Sequence, residues 1–280
     1  MTSITTSIEE LQCIAQRLRA EVLTMVYQAG EGHPGGSLSA ADLLAALYFR
    51  VLRINPLQPE WPERDRFILS KGHAAPILYA ALAERGYFPK EQLKAFRQID
   101  SILQGHPDMH KTPGVDITTG TLGQGLSDGL GMALGGRVLE KDFRVYVLLG
   151  DGEMQEGQVW EAIMAAGNWR LDHLTAIVDY NGLQNDGALA HIQPLEPLAD
   201  KWRAFGWRVL EIDGHDMAQI VSALESIPAA AGQPTVILAR TVKGKGVSFM
   251  EGVAGWHGKA PNQAQYQQAM AEIGGEHARN

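Results

Sequence analysis

Val145-Tyr-Val-Leu-Leu-Gly-Asp-Gly152 decides the fold: an unbroken apolar run feeds directly into a Gly-Asp-Gly turn. A strand that is apolar at successive positions is buried on both faces, the habit of a parallel sheet covered by helices. Runs of similar length recur at Arg66 to Leu69, Leu174 to Val178, Val209 to Ile212 and Val236 to Ala239, mostly separated by helical segments. The chain therefore reads as α/β, with a central parallel sheet and helices on both faces. Ligands of such sheets gather where strands end at the carboxyl edge. Gly150-Asp-Gly152 and Asp179-Tyr-Asn181 both follow buried strands, so two site loops are expected on one edge.

Outside the strands, Ser7 and Glu10 form a capping box, and Ile8, Leu11, Ala15, Leu18, Val22 and Met25 repeat at helical spacing until Gly30. A first helix is expected over Ile8 to Ala29. Glu31-Gly-His-Pro-Gly-Gly-Ser37 reads as a glycine-rich loop, and Ser39-Ala-Ala-Asp42 as the start of a second helix. Residues 262 to 280 read as a polar helix followed by a frayed tail.

At 280 residues and 45% apolar content, the chain is long enough for one large α/β domain with a single core. Its 24 basic and 32 acidic residues leave a net charge of -8, which disfavours nucleic acid as a partner. The lone Cys13 excludes an internal disulfide, and its helical apolar setting reads as a buried core thiol. No apolar run is long enough to span a bilayer, and the first twenty residues lack the basic and apolar regions of a secretory signal. A soluble, cytoplasmic protein is the expectation.

Gly150-Asp151-Gly152 ends one strand and Asn181 follows another, with the 28 residues 153 to 180 between the turn and the asparagine. A hard divalent cation takes oxygen ligands, commonly one or two from protein and the rest from ligand phosphates and water. Asp151, the Asn181 side-chain oxygen and a nearby backbone carbonyl would supply such a set. Glycines on either side of Asp151 let the backbone approach an anion closely. Four histidines add a second signal, each in a loop or beside a glycine: His33, His73, His106 and His257. Imidazole titrates near neutrality and suits proton movement between hydroxyl and carbonyl oxygens. Histidines 110, 173, 191, 215 and 277 lack that setting. The glycines of 120 to 136 do not follow a strand, which argues against a nicotinamide site.

Six blocks together resemble the amino-terminal domain of transketolase, a thiamine diphosphate enzyme. They are Gly32-His-Pro-Gly-Gly-Ser-Leu-Ser-Ala-Ala-Asp42, Ser70-Lys-Gly-His-Ala-Ala-Pro-Ile-Leu-Tyr79, Thr118-Thr-Gly-Thr-Leu-Gly-Gln-Gly-Leu-Ser127, Gly150-Asp-Gly-Glu-Met-Gln-Glu-Gly157, Asp179-Tyr-Asn-Gly-Leu183, and Thr241-Val-Lys-Gly-Lys-Gly246 leading to Trp256-His-Gly-Lys259. The resemblance implies a diphosphate- and metal-binding domain over residues 1–262, with 263–280 as terminal helix and tail. It puts His73, Gly120, Leu122, Gly152, Asn181, Lys243 and His257 on cofactor-contacting positions. Asp151, Asn181 and the Leu183 carbonyl fall on metal ligands, for Mg²⁺ or alternatively Ca²⁺ or Mn²⁺. His33, His106 and His257 face the sugar, and His73 lies close to both sugar and cofactor. Glu156 and Glu161 match acids at an interface between active sites, a role balanced on sequence by that of a solvated first helical turn. Thr121 departs from the family's frequent proline or serine, and Ala254 from an additional histidine of some members.

The implied activity is transfer of a two-carbon unit from a ketose phosphate to an aldose phosphate, as in the pentose phosphate pathway. The cofactor-activating glutamate of the family belongs to a pyrimidine-binding domain with no counterpart here. A separate pyrimidine-domain subunit is therefore expected, in a heterotetramer of two plus two chains. A 1-deoxyxylulose-5-phosphate synthase, the α chain of a 2-oxo acid dehydrogenase, and a non-catalytic cofactor-binding subunit are the alternatives. The site loops 31 to 37, 104 to 124, 150 to 157, 181 to 187 and 251 to 259 contain no arginine. Recognition of the substrate's phosphate or sulfonate is accordingly expected from the partner.

Overall fold

The computed structural model describes residues 6–227 and 232–274. Among the described residues are seven strands: β1 (Arg66–Leu69), β2 (Val145–Gly150), β3 (Leu174–Tyr180), β4 (Leu183–Gln184), β5 (Gly187–Ala188), β6 (Arg208–Asp213) and β7 (Thr235–Arg240). Five of them form one sheet in the order β1-β2-β3-β7-β6, every pair parallel. The short β4 and β5 make an antiparallel hairpin directly after β3. All five expected strands are found, each extended by at most two residues at either end.

Ten α-helices among the described residues surround the sheet: α1 (Ile8–Ala29), α2 (Pro34–Ser39), α3 (Ala41–Ala46), α4 (Ala75–Arg85), α5 (Gly125–Val138), α6 (Gly157–Asn168), α7 (Leu189–Ile192), α8 (Leu198–Ala204), α9 (Met217–Glu225) and α10 (Gln263–Ile273). Strand residues alternate between two cores, as a period of two requires. Phe67, Leu69, Tyr146, Leu148, Ile177 and Ile237 pack with α1, α3, α4 and α9. Ile68, Val145, Val147, Leu149, Val178 and Val236 pack with α5, α6 and α8 on the other face. This two-sided burial is why the strands are apolar at consecutive positions.

Three local expectations are corrected. Cys13 is half-buried, because it lies off the stripe of Leu11, Ile14, Ala15 and Leu18 that α1 presents to the core. The loop expected through Ser37 ends at His33: Pro34 begins α2, its fixed φ and missing N–H suiting a helix's first position. Ser39 and Asp42 form no cap. Ser39 Oγ donates to Asp179 at 2.6 Å, and Asp42 pairs with Arg19 and His215, so tertiary partners replace the local bond. The polar helix near the carboxyl end is α10, closed by an Asn262–Gln265 capping box and packed on α1 through stacked Tyr27 and Tyr266. Residues 275–280 of the expected tail, including His277, lie outside the described residues. No helix among the described residues is long and apolar enough to cross a membrane.

Candidate active site

Because the five strands are parallel, the segments after β1, β2, β3 and β7 leave the sheet at one edge, and they carry most of the candidate residues. Asp151 follows β2 and caps a 3₁₀ turn over Gly152–Gln155. Its carboxylate is 2% exposed and accepts from Gly152 N at 2.8 Å and Gly182 N at 2.5 Å, which ties the β2 loop to the β3 loop. Asn181 Oδ1 accepts from Leu183 N at 3.1 Å, and the Leu183 carbonyl accepts from Lys243 Nζ at 3.2 Å. The acid, the amide oxygen and the carbonyl thus lie in two hydrogen-bonded loops.

Lys243 links this group to the histidines. Its Nζ lies 2.8 Å from His257 Nδ1; as an ammonium it donates there, leaving the ring proton on Nε2. The ring centroid of His257 is 4.8 Å from that of His73 and 5.4 Å from that of His33. His33 lies 5.2 Å from His73 and 6.4 Å from His106. The four glycine-flanked histidines, which come from four separate segments, converge on one cleft.

Glycines make this approach feasible. A Cβ on Gly72 would meet Thr119 Oγ1 at 2.7 Å and Gly120 N at 2.8 Å, so the turn carrying His73 touches the 118–124 loop only because Gly72 lacks a side chain. Gly120 has φ +151° and sits against the His106 ring, 3.2 Å from where a Cβ would stand. Leu122, two residues on, stays 37% exposed.

Burial shifts the cleft's titratable groups toward their neutral forms. Desolvation, helped by the His106, Arg97 and Lys243 charges, lowers the His33 pKa to about 4. His257 falls to about 4 through burial and Lys243, and His73 well below its ordinary value through burial and Lys71. His106, more open to solvent, is lowered by partial burial and Arg97. Burial and the neighbouring Lys71 charge bring Lys243 down to about 8. Burial, with the negative charge of Asp179, raises Asp151 to about 7. Four neutral imidazoles near pH 7 can accept and donate protons without first losing one to solvent.

The sequence did not reveal what holds these residues. Lys71, 2% exposed, donates to the Gly36 carbonyl at 2.7 Å and to fully buried Asp179. Asp179 also accepts from Ser39, Thr241 and, at 3.4 Å, Asn181 Nδ2. Burial opposes its charge, yet Lys71 and these donors keep its carboxyl below the ordinary range. The Asn181 bond orients the amide with its nitrogen toward Asp179. Glu153, equally buried, accepts from Ser70 Oγ, from Gly123 N at 2.9 Å and from Gly150 N at 3.0 Å, joining three loops. The Ser70-Lys-Gly-His and Gly-Asp-Gly-Glu blocks carried these residues, but nothing in them indicated the partners.

Arg97 adds a charge that the count of arginines in the site loops did not reach. It lies outside the loops counted from sequence, but its left-handed backbone (φ 61°) brings the guanidinium against Gly105, and its charge acts on both His33 and His106. It is paired with Glu31 at 2.7 Å. Glu156 and Glu161 are both exposed; Glu156 occupies the cap position of α6 without a capping bond.

A diphosphate cofactor with a divalent cation suits this arrangement. Asp151, Asn181 and the Leu183 carbonyl are hard oxygen donors, and Lys243 carries positive charge beside them. His33 Nδ1 and Thr119 Oγ1 are buried without a hydrogen-bond partner among the described residues. Residues 11–279 match the family described as transketolase, thiamine diphosphate binding domain. The 6-deoxy-6-sulfo-D-fructose transketolase subunit SqwG of Clostridium sp. (strain MSTE9) is 51% identical over 264 residues, covering 94% of this chain and 96% of that one. An apulose-4-phosphate transketolase subunit of Phocaeicola vulgatus is 42% identical over 266 residues, covering 95% and 94%. Transketolase of Rattus norvegicus is 43% identical over 272 residues, but the match spans only 42% of its length. The solved transketolase of Campylobacter jejuni superposes with a TM-score of 0.90 at 35% identity, over 96% of this chain and 43% of that one. The chain belongs to the thiamine diphosphate-binding domain family of transketolases, matching subunit-sized members over 94 to 96% of their length and single-chain members over less than half of theirs.

Proposed function

We propose that this chain is the cofactor-holding subunit of a two-chain transketolase, moving a two-carbon ketol unit from a ketose donor to an aldose acceptor. The observation that carries this reading is the continuity of the cleft: cation-type oxygen donors meet Lys243, Lys243 meets His257, and His257 adjoins His73 and His33, with His106 beside His33.

In this reading Asp151, Asn181 Oδ1 and the Leu183 carbonyl hold Mg²⁺, and the same oxygen set accepts Ca²⁺ or Mn²⁺. Lys243 would supply positive charge to the diphosphate, and His73, Gly120, Leu122, Gly152 and His257 would line the cofactor. Thiamine diphosphate, when bound, supplies the carbon nucleophile that carries the two-carbon unit. The chain's own residues manage protons and orientation. His33 and His257, neutral through burial, take the proton from the donor hydroxyl whose carbon–carbon bond breaks, and return it to the acceptor oxygen. His106 holds the donor's terminal hydroxyl, and His73 its carbonyl oxygen.

The partner in this proposal is a pyrimidine-domain subunit, in a heterotetramer of two plus two chains. Relatives named as transketolase subunits, covered over nearly their whole length, support it. Because Arg97 is tied to Glu31, the substrate's phosphate or sulfonate falls mainly to the partner. Sugar phosphates of the pentose phosphate type and the sulfonated sugar named for the Clostridium relative are the candidate substrates. The reducing cytoplasm suits a chain with one unpaired cysteine. The test follows ¹³C label from carbons 1 and 2 of a ketose phosphate into a longer ketose by NMR, using the assembled two-chain protein with thiamine diphosphate and Mg²⁺. Label found in both carbons of the new ketose supports the proposal; label retained in the donor, with the cofactor demonstrably bound, refutes it.

A further inference from the structure

His215 has none of the glycine-loop context of the four cleft histidines, and it lies at the end of β6 rather than in the cleft. Its hydrogen bonds nevertheless run from one core to the cleft. Arg19 of α1 and Asp42 of α3, each 7% exposed, make a two-point ion pair at 3.1 and 2.5 Å, and Arg19 Nε also donates to the Leu38 carbonyl. Asp42 Oδ2 lies 2.7 Å from His215 Nδ1. On the far side of the ring, His215 Nε2 accepts from the backbone N–H of Val242 at 2.9 Å. That second bond requires a lone pair on Nε2, so the proton sits on Nδ1 and donates to Asp42. A carboxylate fixed by a guanidinium thereby fixes one tautomer, and that tautomer holds the backbone N–H of Val242, the residue immediately before Lys243.

The approach is built into the backbone. A Cβ on Gly214 would lie 2.5 Å from Thr241 Cγ2 and 3.0 Å from the Arg240 carbonyl, so only glycine lets the β6 end lie this close to the β7 end. Gly214 N donates to the Arg240 carbonyl at 2.7 Å. On either side of Val242 the chain is also tethered. Thr241 Oγ1 donates to Asp179, and Gly244 N to the Gly35 carbonyl at 3.0 Å. Val242 is the point between them, and its N–H is held by an imidazole.

We infer that His215 is a positioning residue for the cofactor site: through the Val242 N–H it sets the place of Lys243, and Arg19 and Asp42 hold His215 in the tautomer this needs. Lys243 bridges the Leu183 carbonyl and His257, so a sub-ångström shift of its backbone is felt in both halves of the cleft. The inference rests on the proposed cofactor role of Lys243 for its functional consequence, but not for its structural content.

Two substitutions separate the ends of the relay. In His215→Asn the amide nitrogen overlays Nδ1 and keeps the bond to Asp42, while nothing reaches Val242. In His215→Gln the amide oxygen reaches the Nε2 position and accepts from Val242, while the bond to Asp42 is lost. Calorimetric titration of thiamine diphosphate with Mg²⁺ into the assembled protein should show about tenfold weaker binding for His215→Asn and a change within about twofold for His215→Gln. In a Lys243→Met background the His215→Asn effect should disappear, because both act through one contact. An equal loss in that background, or an unchanged affinity in His215→Asn, overturns the inference. Lysine acetylation read by mass spectrometry tests the relay without the cofactor. Lys243 should be modified severalfold faster in His215→Asn than in His215→Gln, with Lys245 unchanged in both. Faster Lys243 labelling without any cofactor binding by the parent protein would sink the cofactor reading and leave the relay standing; equal labelling would sink the relay.

Discussion

Asp151 is held in a setting that disfavours its own charge, and replacing it with asparagine should make that measurable. Burial and the nearby Asp179 carboxylate raise it from the ordinary 3.8 to about 7. Because the folded value lies above the unfolded one, protonation favours folding, and that contribution is lost as pH rises from about 4 to about 7. Fully ionised, Asp151 destabilises the cation-free chain by up to about 4 kcal/mol. Asparagine escapes this term but keeps one acceptor oxygen where the carboxylate serves both Gly152 N and Gly182 N. The lost bond costs about 1 to 2 kcal/mol at every pH. The difference between variant and parent is therefore near zero at about pH 5 and about 2 to 3 kcal/mol in the variant's favour at pH 7. In urea unfolding with a chelator present, the stability of Asp151→Asn relative to the parent should rise by about 2 kcal/mol between pH 5 and pH 7, then level off. Addition of Mg²⁺ and thiamine diphosphate should stabilise the parent and leave the variant unmoved. A difference that stays flat across this range would refute the raised carboxyl, and equal stabilisation of both proteins would refute its role as a cation ligand.

Four other outcomes follow from the same geometry. Asn181→Ala should weaken Mg²⁺-dependent cofactor binding by at least about tenfold in calorimetry, since it removes an oxygen donor, while His106→Ala should lower kcat by about 10² with cofactor affinity nearly normal. Because His33 and His257 lie near 4, the rate should hold its plateau down to about pH 5 and fall only below it, as the imidazoles take up protons. An acid limb near pH 6.5 would mean that these rings titrate as if in water. Arg97→Ala should move the acid limb to higher pH, because the guanidinium charge helps hold both His33 and His106 down; an unmoved profile would exclude that influence.

The strands could be read from sequence because burial on both faces leaves a continuous apolar signature, and α1 because cap, stripe and terminal glycine agree over Ile8–Ala29. Asp151 and Asn181 were legible because each ends a strand, and the cleft histidines because glycines surround them. Pairings between distant segments left no such mark. Lys71 and Asp179 are 108 residues apart, and neither position announces a buried ion pair. Arg97 escaped because a left-handed residue redirects it toward a loop it does not belong to in sequence. Cys13 was misjudged because helical periodicity fixes the buried stripe but not how far burial extends around the helix. His215 resembles any hydrogen-bonded surface histidine until the folded chain sets it between Asp42 and Val242.

On the function proposed above, this chain holds one half of a transketolase site and turns over only with a pyrimidine-domain chain. The direct measurement is two-carbon transfer by the purified chain, with thiamine diphosphate and Mg²⁺, before and after adding that subunit. The account predicts no turnover from the chain alone, and activity that rises with the added subunit and saturates at equal numbers of the two chains. Sustained turnover by the isolated chain, free of the partner, would contradict it.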